Sequence, residues 1–134
     1  LAGELNVVLI AFQQWQQAQV NTWLPLVRDI ETRYRSVRHY ELPTIERRAK
    51  LTQMFINEGM RAGIPDPLAR ERTVTLYLDK AAFRRALAMA DEDDIYVLVV
   101  DRQGMVRWRA RGPLTDEKAQ ALRDALASEA PESE

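Results

Sequence analysis

The chain alternates between short apolar runs and longer stretches in which apolar residues return at helical spacing. Residues 5–12 are apolar and rich in β-branched side chains, the profile of a strand buried on both faces in a largely parallel sheet. From about residue 16 to 36, Val20, Trp23, Leu24, Val27, Ile30 and Tyr34 recur at the helical period. Pro25 inside that stretch predicts a kink or a fresh first turn, because proline lacks the amide proton a helix interior needs. Residues 37–42 fit a second strand that ends at Pro43, with Thr44 as the N-cap of a second helix. That helix would run from Ile45 to about Gly63 on Leu51, Met54, Phe55 and Met60. Thr73, Val74 and Thr75 open a third strand that runs to Leu78. Asp79 then caps a helix whose buried face holds Phe83, Leu87 and Met89.

Residues 95–100 form another doubly buried run. After it, Asp101-Arg102-Gln103-Gly104 predicts a tight turn with glycine at a positive-φ position, and residues 105–110 supply the antiparallel partner. Thr115 caps a last helix with Asp116 and Glu117 in its first turn and Ala119, Leu122 and Leu126 as its buried stripe. The tail from about residue 127 is expected to fray. The order is therefore strand, helix, strand, helix, strand, helix, strand, strand, helix. It predicts an α/β fold: a mixed sheet of about five strands with helices on both faces, parallel crossovers and a C-terminal β-hairpin plus helix.

Composition narrows the chemistry. A chain of 134 residues with no internal repeat suits one domain. Its 19 basic and 20 acidic residues leave a net charge of −1, so there is no general attraction to nucleic acid or to anionic membrane, and a protein partner would be recognised by local surface. The absence of cysteine excludes disulfides, thiolate catalysis, zinc–cysteine sites and iron–sulfur clusters, and leaves the compartment unread. The apolar runs fall far short of the roughly 20 residues that a membrane-spanning helix needs. The sequence starts at Leu1 and leaves open what precedes it.

Few residues suggest a site. His39 is the only histidine; it has no partner for a metal pair and is expected at a strand edge or under a helix. Asp91, Glu92, Asp93 and Asp94 lack the spaced oxygens and turn glycine of a calcium loop, so a solvated turn is expected. Trp15, Trp23 and Trp108 are expected to fill or edge the core. Arg107, Arg109 and Arg111 alternate with Trp108 and Ala110, which on a strand predicts three guanidinium groups on one face, either a candidate surface for an acidic partner or an ordinary solvent-facing edge whose charge deters aggregation. No cofactor site, nucleophilic triad, phosphate-binding glycine loop or carboxylate pair is recognisable.

The order of elements resembles the redoxin branch of the thioredoxin-like superfamily, which includes bacterial thiol-disulfide oxidoreductases and peroxiredoxins. The resemblance covers about residues 5–126 and rests on three segments. Leu5-Asn6-Val7-Val8-Leu9-Ile10-Ala11-Phe12 resembles the first core strand. Trp15-Gln16-Gln17-Ala18-Gln19 stands where those proteins carry tryptophan and Cys-x-x-Cys, and residues 97–106 resemble the strand, Asp-x-x-Gly turn and strand. The final third, residues 98–122 with Asp101, Gly104, Arg107-Trp108 and Gly112, is similar to the mitochondrial ATP-synthase assembly-factor family, itself thioredoxin-like.

The resemblance implies that Gln16 and Gln19 replace the two redox cysteines, making Trp15, Gln16 and Gln19 a candidate degenerate active-site turn. At that helix N-terminus free amides could meet a ligand or partner, or be satisfied by a polar capping turn. The family's cis-proline would fall near Ile95, where no proline stands. Thiol-dependent reductase or peroxidase activity is excluded. The function expected is a non-catalytic thioredoxin-like binding or assembly module; the alternative is a redoxin- or glutathione-transferase-like enzyme using a non-thiol group.

Overall fold

The computed structural model describes residues 2–47 and 72–129. The apolar face expected on Leu51, Met54, Phe55 and Met60 lies outside them. The described elements are β1 (Leu5–Ala11), a single 3-10 turn (Gln14–Gln16), α1 (Gln17–Arg33), β2 (Val37–Glu46), β3 (Leu76–Leu78), α2 (Lys80–Ala86), β4 (Tyr96–Asp101), β5 (Val106–Arg111) and α3 (Asp116–Glu129). They form a five-stranded sheet in the order β3-β2-β1-β4-β5.

All of β1 is buried, as its unbroken apolar run requires, and its alternating side chains divide the core in two. Leu5, Val7, Leu9 and Ala11 join Val97 and Val99 beneath Val20, Trp23, Val27 and Ile30 of α1 and Leu122 and Leu126 of α3. Val8, Ile10 and Phe12 join Tyr40, Tyr96 and Leu98 on the other face, against Phe83, Leu87 and Met89. Helices therefore lie on both faces.

β1, β2 and β3 are parallel. The antiparallel part begins one strand earlier than the closing hairpin, because β4 already runs against β1, with Tyr96 opposite Ile10 and Asp101 opposite Leu5. The chain leaves β3, turns through the short α2 and enters β4 at the same end of the sheet, so no crossover separates them. Loop 87–95, α2 and the start of α1 are gathered at the carboxyl end of the parallel strands, where open α/β sheets place their ligand sites.

Two prolines depart from expectation. α1 continues through Pro25; the residue is exposed, so the Asn21 carbonyl it leaves unbonded can be hydrated. β2 does not stop at Pro43 but runs on to Glu46, so Thr44 is a strand residue and caps no helix. Its hydroxyl donates instead to the Ala11 carbonyl at 3.0 Å.

The geometry of β2 shows how Pro43 is accommodated. The Glu41 amide donates to Arg72 and the Glu41 carbonyl accepts from Val74, so alternate residues of β2, Pro43 among them, turn their backbone polar groups toward β3. With no amide proton at Pro43, pairing lapses between the Glu41–Thr73 bridge and the Thr44–Leu76 pair. The third strand is consequently confined to Leu76–Leu78 instead of starting at Thr73. At the other end of the chain α3 persists to Glu129, beyond the expected start of fraying.

Candidate functional site

At the carboxyl end of β1 the chain passes through Phe12 and Gln13 into the 3-10 turn and then α1. Amides at such a junction lack helical partners and need another acceptor. Gln16 supplies it: its side chain is fully buried (0% exposed), and Oε1 accepts from the Phe12 amide at 2.8 Å and the Gln13 amide at 3.2 Å. Its Nε2 donates across the site to the Glu92 carbonyl at 2.5 Å. One turn on, Gln19 Oε1 accepts from the Ile95 amide at 2.9 Å, while its Nε2 donates to Asp94 Oδ1 at 2.9 Å.

The two glutamines thus pin loop 91–95 to the start of α1, and both ends of each side chain are used within the protein. Trp15, between the strand and these residues, is 59% exposed, in contrast to the core placement expected of it. Trp23 is fully buried and donates from Nε1 to the Gly112 carbonyl at 3.0 Å, and Trp108 packs edge-on against it, with 6.4 Å between ring centroids.

The acidic run is more than a solvated turn. The Glu92 carboxylate lies 3.8 Å from Lys80 Nζ and 3.3 Å from Arg84 Nε, and it accepts from Gln13 Nε2 at 2.8 Å. Lys80 Nζ also donates to the Phe12 carbonyl at 2.6 Å. Asp91 and Asp94 both face Arg111, whose guanidinium lies 5.0 Å from the centroid of the Tyr96 ring. The Arg111 hydrogen bond, helped by the Asp93 amide, holds the Asp91 carboxyl below its usual range, and the same bond raises Arg111. Nothing local in the sequence joins these partners: Gln16 and Glu92, or Gln19 and Ile95, are each 76 positions apart.

The arginine row is divided. A bulge in the β4–β5 pairing sets Trp108 opposite Val99 and Val106 opposite Val100, leaving Arg107 without a cross-strand partner. Arg107 pairs with Asp101 at 2.8 Å. Asp101 also accepts from the Gln103 and Met105 amides, each at 2.9 Å; the Met105 bond foremost and the Arg107 contact hold its carboxyl low against the opposing effect of burial. Arg109 and Arg111 stand opposite Leu98 and Tyr96, on the α2 face of the sheet. His39 lies in β2 with Nδ1 2.9 Å from Glu31 of α1, remote from the glutamines. Among the described residues no cluster of ligating side chains suits a metal ion.

A family model described as ATP10 protein matches residues 1–128. The chain belongs to the ATP10 protein family. The match covers every described strand and is not confined to the final third that resembles the assembly factors. No curated protein matches the chain.

Among solved structures, the exposed lipoprotein thioredoxin Etrx1 of Streptococcus pneumoniae is 11% identical, with a TM-score of 0.56 over 94% of this chain and 86% of that one. StoA of Bacillus subtilis is 12% identical, with a TM-score of 0.52 over 93% and 84%. A thioredoxin-like protein of Aeropyrum pernix is 14% identical, with a TM-score of 0.54 over 96% and 79%. At such identities the likeness establishes the fold, which is thioredoxin-like.

Two positions at which the resemblance led one to expect departures from redoxins are bonded to each other. Proline at position 95 would have no amide proton to give; isoleucine there has one, and Gln19, one of the two residues expected at the cysteine positions, accepts it.

Proposed function

We propose that the chain is a non-catalytic thioredoxin-like module that binds a protein during ATP-synthase assembly. The observation that carries this reading is the internal use of Gln16 and Gln19. At the turn where redoxins present their thiols, this chain has no thiol, the amide side chains of Gln16 and Gln19 are both engaged within the protein, and loop 91–95 is tied down over the helix start. Dithiol and peroxide reduction need a thiolate, which a chain without cysteine cannot form. Family membership supports assembly as the setting, and an exposed Trp15 beside the closed turn supplies an apolar contact for a partner.

The test is capture of the tagged protein from cells that make it, together with native gels of ATP synthase after its removal. Enrichment of an ATP-synthase subunit and accumulation of incomplete complexes are expected, with no insulin-reducing or peroxide-consuming activity in the pure protein. Normal assembly in its absence, or turnover that follows the pure protein, contradicts the reading.

A further inference from the structure

We infer that the free edge of β5 takes up an extended, acidic segment of another protein as an additional strand of the sheet. This deepens the reading above, resting on it for the occupant being a protein, and it places the contact on the opposite side of β4 from β1.

The backbone comes first. β5 is the last strand in the order β3-β2-β1-β4-β5, with no neighbour beyond it among the described residues. The Gly112 amide donates to the Ile95 carbonyl at 2.9 Å, and Ala110 and Trp108 continue that register opposite Val97 and Val99. In an antiparallel ladder alternate residues turn their amide and carbonyl toward the same neighbour. Trp108, Ala110 and Gly112 therefore face β4, and the amides and carbonyls of Arg109 and Arg111 face outward. An incoming strand would pair with those two residues.

The side chains then select the occupant. Arg109 and Arg111 lie on the α2 face of the sheet, opposite Leu98 and Tyr96. Among the described residues Arg109 meets no hydrogen-bond or ion-pair partner, and Arg111, though held by Asp91 and Asp94, keeps 39% of its side chain exposed. An added strand would set alternate side chains beside these guanidinium groups, where carboxylates are favoured over neutral or basic groups. Its intervening side chains would fall beside the half-buried Trp108 and Ala110. At the hairpin end the exposed Met105 and Val106 extend the apolar contact.

An occupant alternating acidic and apolar residues satisfies both faces. A second copy of this chain does not: edge-to-edge pairing of two β5 strands would bring arginine rows together, and like charges at cross-strand positions are destabilising. Arginine along an exposed edge also deters indiscriminate pairing, so the charge that blocks self-association is the one that admits an acidic strand.

The experiment titrates isotopically labelled protein with a short acetylated peptide of alternating glutamate and valine, read by amide shifts and amide exchange. Saturable binding is expected, with the Arg109 and Arg111 amides becoming protected, and with binding weakened about tenfold or more by Arg109→Glu, a loss of about 1.4 kcal/mol. The same peptide methylated on alternate backbone nitrogens keeps its charge but cannot complete the ladder, and should not bind; nor should a lysine–valine peptide.

No binding, equal binding of the methylated peptide, or protection on another element overturns the proposal, and the methylated arm decides this on the unaltered protein. Capture of an ATP-synthase subunit by a protein whose β5 takes no peptide overturns this inference alone. Peptide uptake at β5 without subunit capture upholds it and removes the assembly reading.

Discussion

Gln16 illustrates how much a single buried amide can hold. Its acceptor serves two backbone amides at the strand–helix junction and its donor reaches Glu92, so truncation deprives the buried Phe12 amide, the partly buried Gln13 amide and the partly buried Glu92 carbonyl of this partner at once. Leaving such groups without partners costs about 1–3 kcal/mol each, and Gln16→Ala is expected to lower unfolding stability by roughly 2–4 kcal/mol. Urea denaturation checks it; a loss below about 0.5 kcal/mol, the usual range for a surface change, contradicts the bonding described. The resemblance to redoxins singled out Gln16 and Gln19 as candidates for the thiol positions but did not reveal what they bond to. Their partners come from a loop far along the chain, and no local rule of capping or periodicity encodes that meeting.

At the scale of elements, apolar periodicity located β1, α1, β4 and α3 closely, because each buries a stripe or a face that the sequence displays, and the turn at Gly104, with its positive φ, located β5. It failed where backbone hydrogen bonding decides the boundary. Pro43 reads as a stop signal, yet β2 continues to Glu46 because the missing amide faces only the short β3. Likewise the bulge at Arg107 cannot be seen in an alternating pattern of arginines.

The tie between α1 and β2 has a measurable consequence. Glu31 of α1 accepts from the His39 amide at 2.6 Å, lies 2.9 Å from His39 Nδ1, and pairs with Arg72 at 3.1 Å. Burial alone would raise its pKa; the His39 bonds and the neighbouring positive charges outweigh burial and lower it. A carboxyl whose folded pKa is depressed binds its proton more readily in the unfolded chain, so its stabilisation is present above about pH 4.3, the ordinary glutamate value, and is lost as pH falls through the folded value. Denaturation midpoints of the unaltered protein should therefore exceed those of Glu31→Gln at neutral pH, and the gap should close on acidification below about pH 4. A gap independent of pH contradicts the assignment.

For the whole molecule, the alternation of strands and helices disclosed the thioredoxin-like sheet, but not where its antiparallel part begins. That depends on which end of the sheet α2 returns the chain to, a tertiary choice with no sequence signature. The site is the product of that choice, since the same return brings loop 91–95 over the start of α1. If the scaffold has kept redoxin geometry and exchanged its thiols for glutamines, restoring the thiols should restore their chemistry of pairing. Residues three apart in the first turn of a helix lie on one face, with α-carbons about 5–6 Å apart, inside the span a disulfide bridges. The measurement is mass spectrometry of the Gln16→Cys, Gln19→Cys protein after mild oxidation, with the fold checked by circular dichroism. An intramolecular disulfide is the expected product; free thiols or intermolecular dimers from an intact fold would contradict the placement of Gln16 and Gln19 at the redoxin active-site turn.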